Sequence, residues 1–266
     1  MEKVLKGPKF GLSGMKQFCG VPDNEVLLGG IVKPKVGLSP EQNLDLVKED
    51  EILSNQEFCP IEKRVPLVAN YLRDTNSKVF YCVSVQTDPH NLRPYAQKIQ
   101  ELGGNGLHMN FHCGLGSYKT VRELDLPLLM HFQKSGDKIL NCSDHNYSID
   151  QKVLFELAAK CGCDTLHAGM IGGYMDNDFE EMNDVINRLN LLNAVPALSC
   201  GMNAGLVDYI KDLLGHANWM ANVGGAITSH PMGTAAGVKA MKQAITHQHG
   251  PEYEKAIEKW GKKTIM

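Results

Sequence analysis

Leu44-Asp45-Leu46-Val47 runs straight into Lys48-Glu49-Asp50-Glu51. A short leucine and valine run reads as a buried strand. A charge cluster by itself usually marks a solvated face, but this one lies at the carboxyl end of a strand. Alternate side chains of a strand share a face, so Lys48 and Asp50 point the same way, with Glu51 at the turn beyond. These residues make a nest of oxygen ligands for a hard cation such as magnesium (Mg2+). An ammonium repels a metal ion. Lys48 therefore joins such a site only after conversion, for example to a carbamate formed with carbon dioxide.

The same alternation continues on both sides. Strand-like segments fall at 26–32, 44–47, 79–85, 106–111, 127–132, 164–167, 195–199 and 218–223. Amphipathic helical stretches at 61–73, 92–102, 148–160, 178–192, 204–214 and 234–245 lie between most of them. Eight strands alternating with helices predict an α/β fold, a parallel (β/α)8 TIM barrel rather than an open doubly wound sheet. The Gly-rich patch Gly103-Gly104-Asn105-Gly106 precedes a strand and reads as a turn, not a dinucleotide fingerprint. One unit is anomalous. Only twelve residues separate Lys35 from Lys48, and four belong to the second strand. A parallel crossover normally needs a dozen or more residues, so the first crossover helix is expected to be short or missing. The expected organisation is a lead-in over 1–25, the barrel over 26–246 and a helical tail over 247–266.

Composition narrows the function classes. The 266 residues are 43% hydrophobic and 21% charged, enough for one domain with a substantial core. A net charge of -3 leaves no basic footprint for nucleic acid. The eight cysteines are scattered, and Cys161 and Cys163 lack metal or redox spacing. They read as reduced thiols. No signal peptide stands in the first ten residues and no run is long enough to span a bilayer. A soluble, cytoplasmic protein with no membrane partner is expected.

In a barrel of this kind the reactive groups sit at the carboxyl ends of the strands. The first strand ends Ile31-Val32-Lys33-Pro34-Lys35, where two lysines share a face. Either they solubilise a strand end or one is a desolvated proton acceptor. The fifth strand ends near His131, followed by Gln133 and Lys134, and the sixth ends in His167-Ala168-Gly169. The seventh gives Ser199-Cys200-Gly201 and the eighth Gly224-Gly225-Ala226. Small residues there expose backbone N–H groups that can cradle a phosphate, though a plain turn reads equally well on the glycines alone. His108, Asn110 and His112 alternate along the fourth strand, which would put all three on one face.

Taken in order, these motifs resemble the large-subunit barrel of RuBisCO, and more closely its non-photosynthetic relatives, the form IV RuBisCO-like proteins. The most specific piece is Gly29-Gly30-Ile31-Val32-Lys33-Pro34-Lys35-Val36-Gly37-Leu38-Ser39 with Lys48-Glu49-Asp50-Glu51 downstream. His167-Ala168-Gly169 and Gly224-Gly225-Ala226 to His230-Pro231 follow in the expected order. The resemblance implies that Lys48 is the carbamylated lysine, with Asp50 and Glu51 completing a magnesium site. It implies that Lys33 is the enolising lysine and Lys35 its neighbour. His167 and Ser199 would contact substrate, and Gly201, Gly224 and Gly225 would hold a phosphate. The implied chemistry is enediolate formation.

The departures point to a subtype. The loop after the sixth strand carries a lysine in true RuBisCO, whereas here Met170-Ile171-Gly172-Gly173 leads to Tyr174. Where the family's fifth strand offers a histidine and then an arginine for the distal phosphate, this chain has Gln133 and Lys134, and a lysine binds phosphate only as a point charge. A singly phosphorylated keto sugar or sugar acid is therefore expected as substrate, not a bisphosphate. The run Gly106-Leu107-His108-Met109-Asn110-Phe111-His112, with Met170 to Tyr174 and Ser199-Cys200-Gly201-Met202, looks like the branch that decarboxylates 3-oxo-isoapionate 4-phosphate. The alternatives are the methionine-salvage enolase acting on 2,3-diketo-5-methylthiopentyl-1-phosphate, and a degenerate barrel acting as a binding module. The resemblance covers the family's barrel, and no counterpart of its N-terminal α/β domain is expected within residues 1–266. A homo-oligomer is one reading, with the usual family dimer in question.

Overall fold

The computed structural model describes residues 6–30, 54–55, 60–85, 87–134, 146–174 and 177–265. Eight parallel strands build one sheet: β1 (Leu27–Gly30), β2 (Ser54–Asn55), β3 (Cys82–Val85), β4 (Gly106–Asn110), β5 (Leu129–Gln133), β6 (Thr165–Gly169), β7 (Val195–Leu198) and β8 (Met220–Val223). Their order is β1-β8-β7-β6-β5-β4-β3-β2. The first strand pairs in parallel with the last, Leu27 opposite Met220 and Gly29 opposite Asn222. That pairing wraps the sheet into a (β/α)8 barrel. The expected strand 44–47 and the shortened first crossover lie outside the described residues, and the described strand beside β3 is Ser54–Asn55.

The helices are α1 (Gly11–Cys19), α2 (Ile61–Asp74), α3 (Leu92–Glu101), α4 (Leu115–Arg122), α5 (Gln151–Lys160), α6 (Phe179–Leu191), α7 (Val207–Leu214), α8 (Gly225–Thr228), α9 (Thr234–Ile245) and α10 (Pro251–Trp260). Asp150 and Asp178 begin α5 and α6 by accepting the N–H groups of Lys152 and Glu181, which satisfies donors that the first turn leaves open. Besides the single turn of α8, two helices escape the periodicity. The segment of α1 contains Gly11 and Gly14, poor helix formers, and α4 mixes Gly116, Ser117, Thr120 and Val121. Both are held by burial instead: Met15 of α1 and Tyr118 of α4 are inside the core. Among the described residues no helix is long and apolar enough to cross a membrane.

The barrel interior is layered. Leu27, Leu129, Val195, Ala197 and Met220 pack together with Met15. Four strands contribute to that cluster, so these side chains face inward, and α1 plugs the end of the barrel where the strands begin. Phe10 and Phe18 continue the plug onto Phe80, with ring centroids 5.1 and 4.3 Å away. Beneath it lies a buried ionic knot. Asp164 is wholly buried and accepts from Arg122 Nη2 at 2.6 Å, Met130 N at 2.7 Å, Lys9 N at 2.6 Å and Phe10 N at 2.9 Å. One carboxylate thereby ties the lead-in, β5 and α4 to the start of β6.

Two residues farther along each strand the same face continues. The next inward positions are Gly29, His131, Ser199 and Asn222, with His108 in register with His131. Barrel interiors are ordinarily filled by bulky branched residues. Here the middle is polar.

Candidate active site

Register explains the cluster. His108 of β4 pairs with His131 of β5, and His131 pairs with Thr165 of β6. The rings of His108 and His131 lie 5.1 Å apart and those of His131 and His167 4.7 Å apart, the second pair edge to face. His131 Nδ1 bonds the Thr165 hydroxyl. His167, one alternation above Thr165, stands between two partners on the following strands. Asn222 Nδ2 lies 2.6 Å from its Nε2, and Ser199 Oγ lies 2.9 Å from its Nδ1. With the amide nitrogen donating to Nε2, the ring proton sits on Nδ1 and is donated to Ser199. Both nitrogens of His167 are thus engaged. The Ser199 hydroxyl, in turn, keeps its own proton for a further acceptor.

Burial sets the protonation. The His167 imidazolium is pushed down to about 3 by burial, and then by His108 and Lys134. Burial likewise holds His131 well below the ordinary histidine range, reinforced by its two histidine neighbours. His108 is lowered by burial against a raising contact from Gln133. Three adjacent imidazoles are therefore neutral at pH 7, as low-dielectric surroundings require of groups without a counter-charge.

Around this cluster the strand ends open into loops. Cys200 adopts φ 80°, and Gly201 φ 107°. A Cβ on Gly201 would come within 2.7 Å of the Tyr174 backbone nitrogen, so only glycine lets the loops after β6 and β7 approach this closely. Gly224 precedes the short helix α8, and a Cβ on Gly225 would meet nothing within 4 Å. Its backbone faces open space at the end of β8. Lys134 follows the end of β5, with its ammonium 6.0 Å from the Phe155 ring of α5. From the plug up to the histidines runs a cavity of about 290 Å³, lined among others by Leu27, Gly29, His108, His131, Thr165 and Asn222.

The structure brings together His131, His167 and Ser199, and places Gly201, Gly224 and Gly225 at neighbouring strand ends. Lys33, Lys35, Lys48, Asp50 and Glu51 lie outside the described residues. Among the described residues no group of three or more His, Cys, Asp or Glu is arranged to hold a metal. One expectation is corrected: β4 ends at Asn110, whose side chain accepts from His112 N at 2.9 Å. The chain turns there into a short 3-10 segment and His112 points to solvent, so His108 faces the interior without it. Asn222 and Thr165 were missed from the sequence. A polar residue at an inward position of a buried strand was the available signal in both cases.

The family model described as "Ribulose bisphosphate carboxylase large chain, catalytic domain" matches residues 12–264. The chain belongs to the RuBisCO large-chain family. A ribulose bisphosphate carboxylase from Methanocaldococcus jannaschii is 26% identical, with 97% of this chain and 71% of that protein covered. A rubisco-like protein from Alicyclobacillus acidocaldarius superposes with a TM-score of 0.85 at 24% identity, over 97% of this chain and 72% of the other. The octameric Rubisco from Pyrococcus horikoshii gives the same TM-score and identity, covering 97% of this chain and 68% of the other. Those two structural likenesses are likenesses of fold.

Proposed function

We propose that this RuBisCO-family barrel is a RuBisCO-like enzyme, of the form IV kind, that generates an enediolate from a singly phosphorylated keto sugar acid. The reaction is a decarboxylation of the 3-oxo-isoapionate 4-phosphate type. The observation that carries the reading is the relay Asn222–His167–Ser199, hydrogen-bonded, buried and uncharged, beside the glycine-rich ends of β7 and β8. A neutral relay whose last proton belongs to Ser199 offers a hydrogen bond to an oxygen on which negative charge develops. His167 acts here as a positioning residue, since both its nitrogens are taken. Gly201, Gly224 and Gly225 present backbone N–H groups for one phosphate. No arginine fork stands at the end of β5, where Gln133 and Lys134 are found, so a second phosphate lacks a bidentate partner.

Magnesium is proposed as cofactor on the family resemblance, held by the carbamate of Lys48 with Asp50 and Glu51. When bound, it supplies Lewis-acid polarisation of the keto group. Lys33 is proposed as the residue that moves the proton at carbon, with Lys35 beside it. A homo-oligomer is proposed as well, since the Pyrococcus horikoshii relative is octameric. The reduced state expected of the cysteines suits a cytoplasmic setting.

The test is product analysis with magnesium and bicarbonate present. Purified chain is offered 3-oxo-isoapionate 4-phosphate, 2,3-diketo-5-methylthiopentyl-1-phosphate and ribulose bisphosphate in parallel, and released carbon dioxide and solvent deuterium uptake are followed. Carbon dioxide from the first substrate, abolished by Ser199→Ala, is expected. Turnover of the diketone alone would replace the reading with enolisation. Inertness toward all three would leave a binding barrel.

A further inference from the structure

We propose that the barrel interior below the relay is a subsite for an uncharged, hydroxyl-bearing carbon chain, anchored by the Nδ1 atom of His108. In naming this ligand class the inference rests on the sugar-phosphate reading above, while the site itself rests on separate observations. His108 is 8% exposed. Its Nδ1 has no hydrogen-bond partner among the described residues. Leaving such an atom dry costs about 1–3 kcal/mol, and native interiors avoid this unless something fills the gap. The residue borders the cavity of about 290 Å³ shared with His131, Thr165 and Asn222.

The walls select the occupant. The upper wall is imidazole, hydroxyl and amide, and the lower wall is Leu27, Leu129 and Met220. Charged residues border the cavity only where it is half-buried or exposed, at Glu25, Lys78 and Lys242, whereas the buried His108 and His131 are held neutral. A phosphate or carboxylate pushed in as far as the two histidines would be stripped of water beside uncharged groups. A hydroxyl fits, since it donates to a bare imidazole nitrogen or accepts from a protonated one, and its carbon chain lies against the leucines and methionine. The cavity meets the relay only at Asn222, so a ligand held there is read by a residue not involved in the relay. His108 becomes a specificity residue.

The experiment uses the full chain labelled with 15N-histidine, at neutral pH and without magnesium. Ribitol is titrated while the imidazole resonances are followed, and inorganic phosphate is titrated separately. Ribitol is expected to move the His108 Nδ1 resonance saturably, and phosphate to leave it in place. Calorimetry with His108→Phe should show ribitol binding weakened about tenfold, the worth of one hydrogen bond. His108→Asn, which restores a hydrogen-bonding group near Nδ1, should recover most of it and stands in if the phenylalanine variant fails to fold. An Nδ1 resonance indifferent to ribitol, or one that phosphate moves as well, overturns the proposal. Ribitol binding without turnover of any keto sugar acid would keep the subsite and remove the reaction. Turnover without a ribitol response would remove the subsite alone.

Discussion

The two ends of this barrel interior are built on opposite principles. Where the strands begin, Leu27, Leu129, Val195 and Met220 are capped by Met15, and the wholly buried Asp164 has both carboxylate oxygens engaged. A few residues along the same strands, the inward positions are His108, His131, Ser199 and Asn222. An aliphatic layer gains roughly 25 cal/mol per Å² of buried area, whereas a polar layer only recovers its desolvation through hydrogen bonds. Stability is therefore concentrated at the plugged end. The middle gives stability up in exchange for groups that can touch a ligand.

The largest test of that division is Asp164→Ala. It leaves the Arg122 guanidinium buried with only the carbonyls of Gly162 and Leu128, and removes the acceptor from Lys9, Phe10 and Met130. Removing one partner of a buried ion pair costs about 3–5 kcal/mol. Urea unfolding at pH 7 should show a loss of that size. A loss below about 1 kcal/mol, the range of exposed pairs, would mean that the knot does not anchor the plugged end.

Acid should attack the other end. His167 is held at about 3 in the folded barrel against 6.5 for a free imidazole. Between those values the unfolded chain binds a proton that the folded chain refuses, so stability is full above about pH 6.5 and falls as pH drops toward 3. The slope is about 1.4 kcal/mol per pH unit for one such histidine, roughly 3 kcal/mol lost by pH 4. His131 and His108 shift the same way and steepen the fall. Unfolding curves from pH 7 to pH 4 should become shallower in their pH dependence for His167→Gln. An unchanged slope would show that the folded protein already accommodates the imidazolium.

How far the sequence foretold this division depends on the periodicity each part leaves. The strands and most helices were legible because inward and outward residues alternate at periods that burial enforces, as in α9, foreseen at 234–245. Helix α1 was not, because Gly11 and Gly14 hide its propensity and only the barrel floor supplies its partner. His167 and Ser199 were legible as polar residues at strand ends, but their hydrogen bond was not, since 32 residues separate them. Asn222 lies in a segment correctly read as a strand, but an asparagine there has no meaning until β8 is seen beside β7, with β6 next in the sheet. His112 was misplaced because nothing in the alternation signals that Asn110 will fold its side chain back onto the chain and end the strand.

That missed asparagine gives the smallest effect and the finest test. Asn222→Ala removes one neutral hydrogen bond and leaves Nε2 of His167 bare, a loss of about 1 kcal/mol in stability. The consequence for the site is larger than for the fold. Asn222 is what fixes the proton on Nδ1, so its removal frees the ring to place the proton on Nε2, and Ser199 must then donate to Nδ1 instead of receiving from it. The hydroxyl would no longer offer its proton to a substrate oxygen. Imidazole 15N shifts should report a change from the Nδ1–H form toward a mixture, while unfolding moves little and turnover of the keto sugar acid drops. Asn222→Asp sharpens the point, because a carboxylate can only accept and would force the proton onto Nε2. If both variants keep wild-type turnover with an altered tautomer, Ser199 does not act through His167, and the polar middle layer serves binding through His108 and His131 rather than chemistry.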